Sequence, residues 1–507
     1  MINQTYIMQG KTTVSLDTDK NRGNTARPYS YDEAIELAGN GWYNRGLLAT
    51  LSISLLGMGI DMFGFSVIVT GCACDFHLEH SQKSILMSMP FIGAIGMAYV
   101  WGYLSDTKGR RMCLLYGMWG GFISSILTAF SPNWIVLAVL KVFSTSLCSS
   151  AQSCTVTLLG ESCTAKVRDF YLLIMSSVLM LYLLSYVVPG YFILSIPFSI
   201  NLGFIYFTPW RLLAIILSLP LGISALGLHF FYESPKFLVN IGKEGQALNH
   251  LQGIWARNGG IHEYPVQKVY LNEEQKVNRK GVSILQSLVD QTIPLFKPPL
   301  LLNSLQMFYL ITIIYSINNS LVMWMPLIVD AFGSGVHAEG KQDSTSLCSI
   351  ISSTEGGNST ILHSCTSSIE LSTLLSGVAH GIIFSGVTVC VSKLASKKKY
   401  LLITFLLITM LSTLGAVFNE NNVVSLVLFV GMLMTNLCMG ILFTYYVDMF
   451  PTSYRGMAAC LGVMVARLSG VAGVNFLGSM IVTHCAITFY AFGVYLLSGI
   501  IVSCFLP

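Results

Sequence analysis

The sequence predicts an all-α integral membrane protein of twelve transmembrane helices arranged as two bundles of six. Three observations carry that expectation. The 507-residue chain is 53% hydrophobic and only 10% charged, with a mean hydropathy of +0.66. Its apolar residues gather in repeated runs of about 20 residues, the length a bilayer core demands of a helix. One topology also puts 23 of the 28 Lys and Arg residues in connections on a single side. That bias is the one that marks the cytosolic face.

The first 44 residues are polar and show no apolar signal segment, so they are expected to stay in the cytosol. Apolar spans follow near 46–70, 84–104, 112–130, 134–160, 170–192 and 208–231, making a six-helix unit over 45–231. Between Arg168 and Lys236, both in basic segments, the number of crossings must be even. The stretch 193–207, with Pro197 inside it, is therefore an outer connection. A central cytosolic loop fills 232–299. The second unit, 300–507, has spans near 301–329, 372–392, 400–418, 424–447, 456–482 and 486–505. Both termini then lie in the cytosol.

The most informative stretch is Gly102-Tyr-Leu-Ser-Asp-Thr-Lys-Gly-Arg-Arg111. It sets an acid, three cations and two glycines between two apolar runs, which calls for paired charges at a membrane surface. A bare cytosolic turn would account for the cations, not for Asp106 or the glycines. The stretch resembles the G-x-L-x-D-x-x-G-R-R signature that joins the second and third helices of major facilitator superfamily transporters. Further runs are similar to sugar-porter-like members: Glu161 to Arg168, Tyr232-Glu-Ser-Pro-Lys-Phe-Leu238, and Val447-Asp-Met-Phe-Pro-Thr-Ser-Tyr-Arg-Gly456. Tyr31 to Gly39, Cys74-Asp75 and the Ala247–Asn258 stretch resemble the synaptic vesicle glycoprotein 2-like group, related to organic cation transporters.

The resemblance implies a cytoplasmic gate made of Gly102, Asp106, Gly109, Arg110, Arg111, Glu161, Arg168, Glu233, Asp448 and Arg455. Gly102 would admit a neighbouring helix, and Asp106 would face a helix N-terminus, whose dipole favours negative charge. Glu161 precedes Arg168 by seven residues, as Asp448 precedes Arg455, which fits parallel repeats. The second half offers only Ser396-Lys-Lys-Lys399 opposite the first signature. The family's fourth helix carries Arg and a string of glycines. Here it reads Lys141-Val-Phe-Ser-Thr-Ser-Leu-Cys-Ser-Ser150, so Ser, Thr and Cys must allow close contact.

Substrate and coupling candidates are the polar groups inside spans. Asp61, Lys141 and Arg467 are costly there, about 2.5–3.5 kcal/mol each on insertion scales, so a pathway or a partner retains them. Asp61 reads as a coupling or binding carboxylate, or as an acid satisfied by nearby hydroxyls. Lys141 and Arg467 read equally as helix ties, with no evident acid facing either. Tyr315, Asn318 and Asn319 either line a cavity or soften the seventh span. Trp324 either stacks on a ligand or anchors at the interface. His380 is a proton relay or a structurally paired ring.

The outer loop 331–371 is rich in Ser, Thr and Gly and holds a glycosylation acceptor at Asn358. Cys348 and Cys365 in that oxidising loop are expected to form a disulfide. In the central loop, Ala247, Leu248, Leu251, Ile254 and Trp255 form a helical stripe facing the helix ends or the membrane surface. Glu263 to Lys280 is expected to be mobile. No nucleotide loop, nucleophile motif or metal-ligand spacing is present, so the reading is not an enzyme, has no cofactor or metal, and has no nucleic-acid partner. It is a monomeric transporter of a hexose or organic cation, with a proton as candidate co-substrate, in a plasma or vesicle membrane. The alternative is a binding or trafficking protein that keeps the transporter fold without transport.

Overall fold

A computed structural model describes residues 28–507 apart from 263, 272–291, 331–347, 349–367, 393–396, 420–421, 482 and 507. Among the described residues, twelve helical spans are assigned. Ten are long and apolar enough alone to cross a bilayer: Trp42–Cys72, Trp134–Ser162, Ala165–Leu194, Pro209–Leu228, Leu300–Met323, Leu371–Val391, Lys398–Phe418, Val424–Tyr446, Met457–Met480 and Cys485–Ser503. The second span, His80–Lys108, qualifies as a pair bent by 45°. Arg110–Thr128, with two arginines in its first turn, is the third span. The first six spans pack around one another and the last six do likewise. The halves meet where the second span lies along the eleventh and the fifth along the eighth.

The Lys141–Ser150 stretch of the fourth span shows how a helix segment without glycines packs tightly. The small residues are on its neighbours. A Cβ on Gly93 of the second span would sit 2.3 Å from Thr145 Oγ1, and one on Gly117 of the third only 2.0 Å from Ser150 Oγ. Gly121 faces Cys148 in the same way. The hydroxyls that replace glycine return their hydrogen bonds to backbone: Ser146 donates to Gly93 O at 2.8 Å and Thr145 to Lys141 O at 2.9 Å. Close contact survives because it needs one small partner per crossing, on either helix.

On the face that carries Gly102–Arg111, the chain is more structured than a tail and a loop. Ser30 opens a helix, Tyr31–Ala38, with a reciprocal capping box to Glu33. Tyr29–Ser30 pairs in parallel with Val269–Tyr270. The helix Glu244–Arg257 buries Ala247, Leu251 and Ile254, and Leu251 and Ile254 join a core shared with Tyr31, Ala34, Ile35 and Ala38. Tyr264, Val266, Val269 and Leu271 are also buried, so the expected mobile stretch is packed as far as 271. Asn258 clasps these pieces, donating to Ala38 O, Gly39 O and Asn44 Oδ1 and accepting from Tyr43 N.

At the opposite face, 195–208 forms the expected connection, with a short hairpin of Ile200–Asn201 and Tyr206–Phe207. Asp75 holds it by accepting from Thr208 Oγ1 and Trp210 Nε1, both at 2.7 Å. The expected Cys348–Cys365 bridge is corrected: Cys348 is bonded to Cys485 at the start of the twelfth span. Loop position alone hid a partner 137 residues away. Cys74 is disulfide-bonded as well. Asn358 and Cys365 lie outside the described residues.

Two measurements check these features. Non-reducing peptide mapping should recover Cys348 joined to Cys485. Gly117→Val should lower the melting temperature in detergent, at an overpacking cost of about 1–3 kcal/mol, whereas Gly102→Val, which no described atom approaches within 4 Å, should not.

Candidate functional site

Mid-span, the first, third and fourth helices converge on one carboxylate. Asp61 is 3% exposed and Lys141 2%. Lys141 Nζ lies 2.8 Å from Asp61 Oδ1. Ser125 Oγ donates to Oδ1 at 2.9 Å, Ser144 Oγ reaches both oxygens at 3.1 Å, and Cys148 Sγ approaches Oδ2 at 3.5 Å. The acid that Lys141 lacked by sequence reading is therefore Asp61, three helices away in chain order and adjacent in space. The Phe65 ring lies 5.1 Å from the ammonium and completes its surroundings.

A second cluster joins the halves. Arg467 of the eleventh span, 5% exposed, donates from Nη2 to Gln152 Oε1 at 2.6 Å. Its Nη1 approaches Met62 Sδ at 2.9 Å. Asn319, one turn from Tyr315 on the seventh span, is fully buried with neither side-chain polar atom hydrogen-bonded. Asn318 accepts from Thr435 Oγ1 at 3.2 Å, leaving its amide nitrogen unbonded. The helix that carries them runs from Leu300 to Met323.

Trp324 caps the C-terminal end of the seventh span. It is fully buried, donates from Nε1 to Val474 O at 3.0 Å, and stacks on His80 with centroids 4.9 Å apart. His80 Nε2 in turn meets Gly478 O at 2.6 Å. Trp324 thus seals the halves at the end away from Gly102–Arg111. His80 escaped sequence reading because it sits just before an apolar run and belongs to no motif. His380 stacks on Phe384 at 4.0 Å, with the Asn436 amide 3.5 Å from its Nε2.

The gate candidates gather at one end. Arg110 lies 3.1 Å from Glu161 Oε2 through Nε and 3.4 Å from Asp106 Oδ1 through Nη2. Its guanidinium stacks over Phe237 at 4.8 Å. Glu161 also accepts from Ser234 Oγ at 2.5 Å. Glu233 accepts from the backbone N–H groups of Arg111 and Met112 at 2.9 and 3.2 Å, so it answers the dipole at the third span's N-terminus. The pairing of Asp106 with Arg110 leaves that role to Glu233. Gly109 is required here: its φ is +113°, and a Cβ would lie 2.4 Å from Glu233 Oε2. At Gly102 no described atom lies within 4 Å of where a Cβ would project. Arg111 donates to Leu228 O and His229 O. No ion pair joins Glu161 to Arg168 among the described residues. Lys398 pairs with Asp448, giving the basic run in the second half its carboxylate. Arg455 falls in the helix Thr452–Met480, its side chain outside the described set. Burial lowers the His250 pKa from its ordinary value, opposed by the Glu233 backbone carbonyl beside it.

The Asp61–Lys141 pair makes a stability prediction. Asp61→Asn or Lys141→Met alone leaves an unanswered buried group and should cost about 3–5 kcal/mol. The double variant should recover most of that loss when melting is followed in detergent.

The chain was compared with known proteins. Synaptic vesicle glycoprotein 2C of Mus musculus is 24% identical over 50% of this chain and 35% of that protein. Organic cation/carnitine transporter 7 of Arabidopsis thaliana is 25% identical over 46% of this chain and 44% of that protein. These alignments span less than half of either relative. Synaptic vesicle 2-related protein of Rattus norvegicus aligns at 22% identity over 94% of this chain and 81% of that protein. Among solved structures, the xylose transporter XylE from E. coli, in a partially occluded inward open conformation, superposes with a TM-score of 0.65 at 16% identity, covering 92% of this chain and 100% of that one. A D-xylose-proton symporter superposes at 0.62 with 15% identity, covering 92% and 97%. Likeness at that identity speaks to the fold. A family-wide profile of the Major Facilitator Superfamily matches residues 50–474, and the chain belongs to that superfamily.

Proposed function

We propose that this protein is a proton-coupled secondary transporter of a small organic solute that works by alternating access of its two halves. The observation that carries the reading is the Asp61–Lys141 pair, sealed at mid-span and bound to three helices of one half. A charge pair so far from water is a poor way to gain stability. It is a good way to make helix packing depend on one proton. Protonating Asp61 removes its charge, releases the Lys141 ammonium, and weakens the links to Ser125 and Ser144. Losing the proton draws the three helices together again. Proton coupling of a solved neighbour named as a D-xylose-proton symporter supports this reading.

The solute site lies between Asp61 and the seam of Arg467, Tyr315, Asn318 and Asn319. Asp106, Gly109, Arg110, Arg111, Glu161, Arg168, Glu233, Asp448 and Arg455 form the gate at the basic face, which the charge bias assigns to the cytosol. The protein acts as a monomer in a plasma or vesicle membrane, glycosylated at Asn358.

Uptake into proteoliposomes tests this, with labelled solutes run with and without an inward proton gradient. The wild-type protein should accumulate its solute when the gradient is present. Asp61→Asn should equilibrate solute across the membrane but not concentrate it. Accumulation that persists in Asp61→Asn would make the pair structural. Ligand binding without flux in the wild type would favour the non-transporting alternative.

A further inference from the structure

The outer connection between the fifth and sixth spans is built unlike a loop that faces water. Residues 193–208 hold no Asp, Glu, Lys or Arg, and apart from the Tyr206 hydroxyl their polar side chains are Ser195, Ser199, Asn201 and Thr208. Ile200–Asn201 and Tyr206–Phe207 pair as an antiparallel hairpin. At its tip Leu202 N donates to Ile205 O at 3.0 Å, and Gly203 N donates to Asn201 Oδ1 at 2.8 Å. The φ of +89° at Gly203 makes that closure possible. The tip thus answers N–H groups from within, as backbone must before it enters a medium without water. Its large apolar side chains are left outside: Ile196, Ile200, Leu202, Phe204 and Tyr206 are exposed, Phe204 at 71% and Tyr206 at 64%. An apolar patch of this kind marks an interaction surface.

The depth of the hairpin follows from the sixth span. Pro209–Leu228 is 20 residues long, about 30 Å at 1.5 Å per residue, which is the thickness of a hydrocarbon core. Its far end is fixed at the basic face, where Arg111 donates to Leu228 O and His229 O. Pro209 therefore stands at the outer boundary of the core, with the hairpin directly before it. Asp75 pins the base there through Thr208 Oγ1 and the Nε1 of the buried Trp210. Phe207 packs on Phe198 and on Phe130, with ring centroids 6.3 and 6.4 Å apart. Ile123, Leu127 and Phe130 are all exposed and recur at helical spacing, so they form one lipid-facing stripe on the third span. Through Phe130 the hairpin is continuous with that stripe.

We propose that the hairpin 195–208 is an interfacial anchor that lies in the outer leaflet, with Ile200, Leu202, Phe204 and Tyr206 set among the lipids at the edge of the acyl chains. Aromatic side chains favour that depth, where an apolar body and a polar tip can both be satisfied. The partner is phospholipid, bound through apolar burial and not through headgroup charge, since the hairpin carries no charge to recognise one. A water-soluble partner would call for a polar rim around the apolar centre, and the tip has spent its Asn201 side chain on its own backbone. The anchor holds the outer ends of the fifth and sixth spans at one depth. It stands whether or not the protein transports a solute.

Spin labels on the full-length protein in phosphatidylcholine nanodiscs test the proposal. Cys390 and Cys504, free and exposed, are first changed to Ser. Single labels are then attached through Phe204→Cys, through Phe143→Cys on the exposed face of the fourth span, and through Ile261→Cys, exposed at the basic end. Collisions with oxygen, which partitions into lipid, are compared with collisions with a nickel chelate confined to water. The label at 204 should favour oxygen several-fold, like the one at 143, while the one at 261 favours the chelate. A label at 204 that behaves like the one at 261 puts the hairpin in water and overturns the proposal. Shielding of 204 from both reagents overturns it too, and assigns the patch to a second copy or another protein. Ile200→Asp with Phe204→Asp supplies the second variant, read through a label at Leu202→Cys. The two charges should move that label from oxygen to the chelate and leave the melting temperature in detergent unchanged. Persistent lipid contact at 202 would remove these side chains from the anchor. A fall in the detergent melting temperature would place them in the protein's own packing instead.

Discussion

The buried pairing of Asp61 with Lys141 is the constraint around which the first half is arranged. An ammonium and a carboxylate at mid-span are tolerable only if they meet, and only if the remaining lone pairs are answered. Ser125 on the third span and Ser144 on the fourth provide the answers, so three helices must reach one point. That convergence demands short distances between helix axes. Gly93, Gly117 and Gly121 make them possible by removing side chains opposite Thr145, Ser150 and Cys148. The polar fourth span and the glycines on its neighbours are thus two sides of one requirement.

The ends of that bundle are fixed by a different device. Glu161, at the end of the fourth span, receives Arg110 from the start of the third and Ser234 from beyond the sixth. Its backbone carbonyl accepts from the Tyr31 hydroxyl, so the short N-terminal helix is hung on the same residue. Asn258 then fastens that helix to the central one. A shift of the fourth span at its basic end would move all of these together. The short helices at the basic face and the ion network are thus joined through one residue, Glu161.

The number and order of the spans were legible in the sequence because apolar length and the sorting of Lys and Arg are local or additive quantities. The gate candidates could be named for the same reason: Gly102–Arg111 is a contiguous stretch, and so are its partner motifs. What stayed hidden depends on which helix faces which. Lys141 showed no partner because its acid lies 80 positions earlier, on a helix that only the fold brings alongside. The Lys141–Ser150 stretch looked poorly suited to close packing because it has no glycine, and the compensating ones stand on the second and third spans. The stacking of Trp324 on His80, an unremarked residue at the start of the second span, was hidden for the same reason. Cys348 was assigned within its loop, whereas its partner opens the twelfth span.

The distribution of contacts between the halves bears on how such a machine would move. At the end away from the gate, His80 meets Gly478, Ser84 donates to Asn475, and Trp324 fills the gap between them. The eighth span packs its outer glycines, Gly377 and Gly381, on Val187 and Leu184 of the fifth. Nearer the gate, Gly386 on that helix and Gly96 and Gly102 on the second have no described atom within 4 Å of a Cβ position. The described links between the halves thus run from His80 and Ser84 at that end to Arg467, which reaches Gln152 at mid-span. A rocking motion of one half on the other would have to break them in that order or leave Arg467 as its pivot.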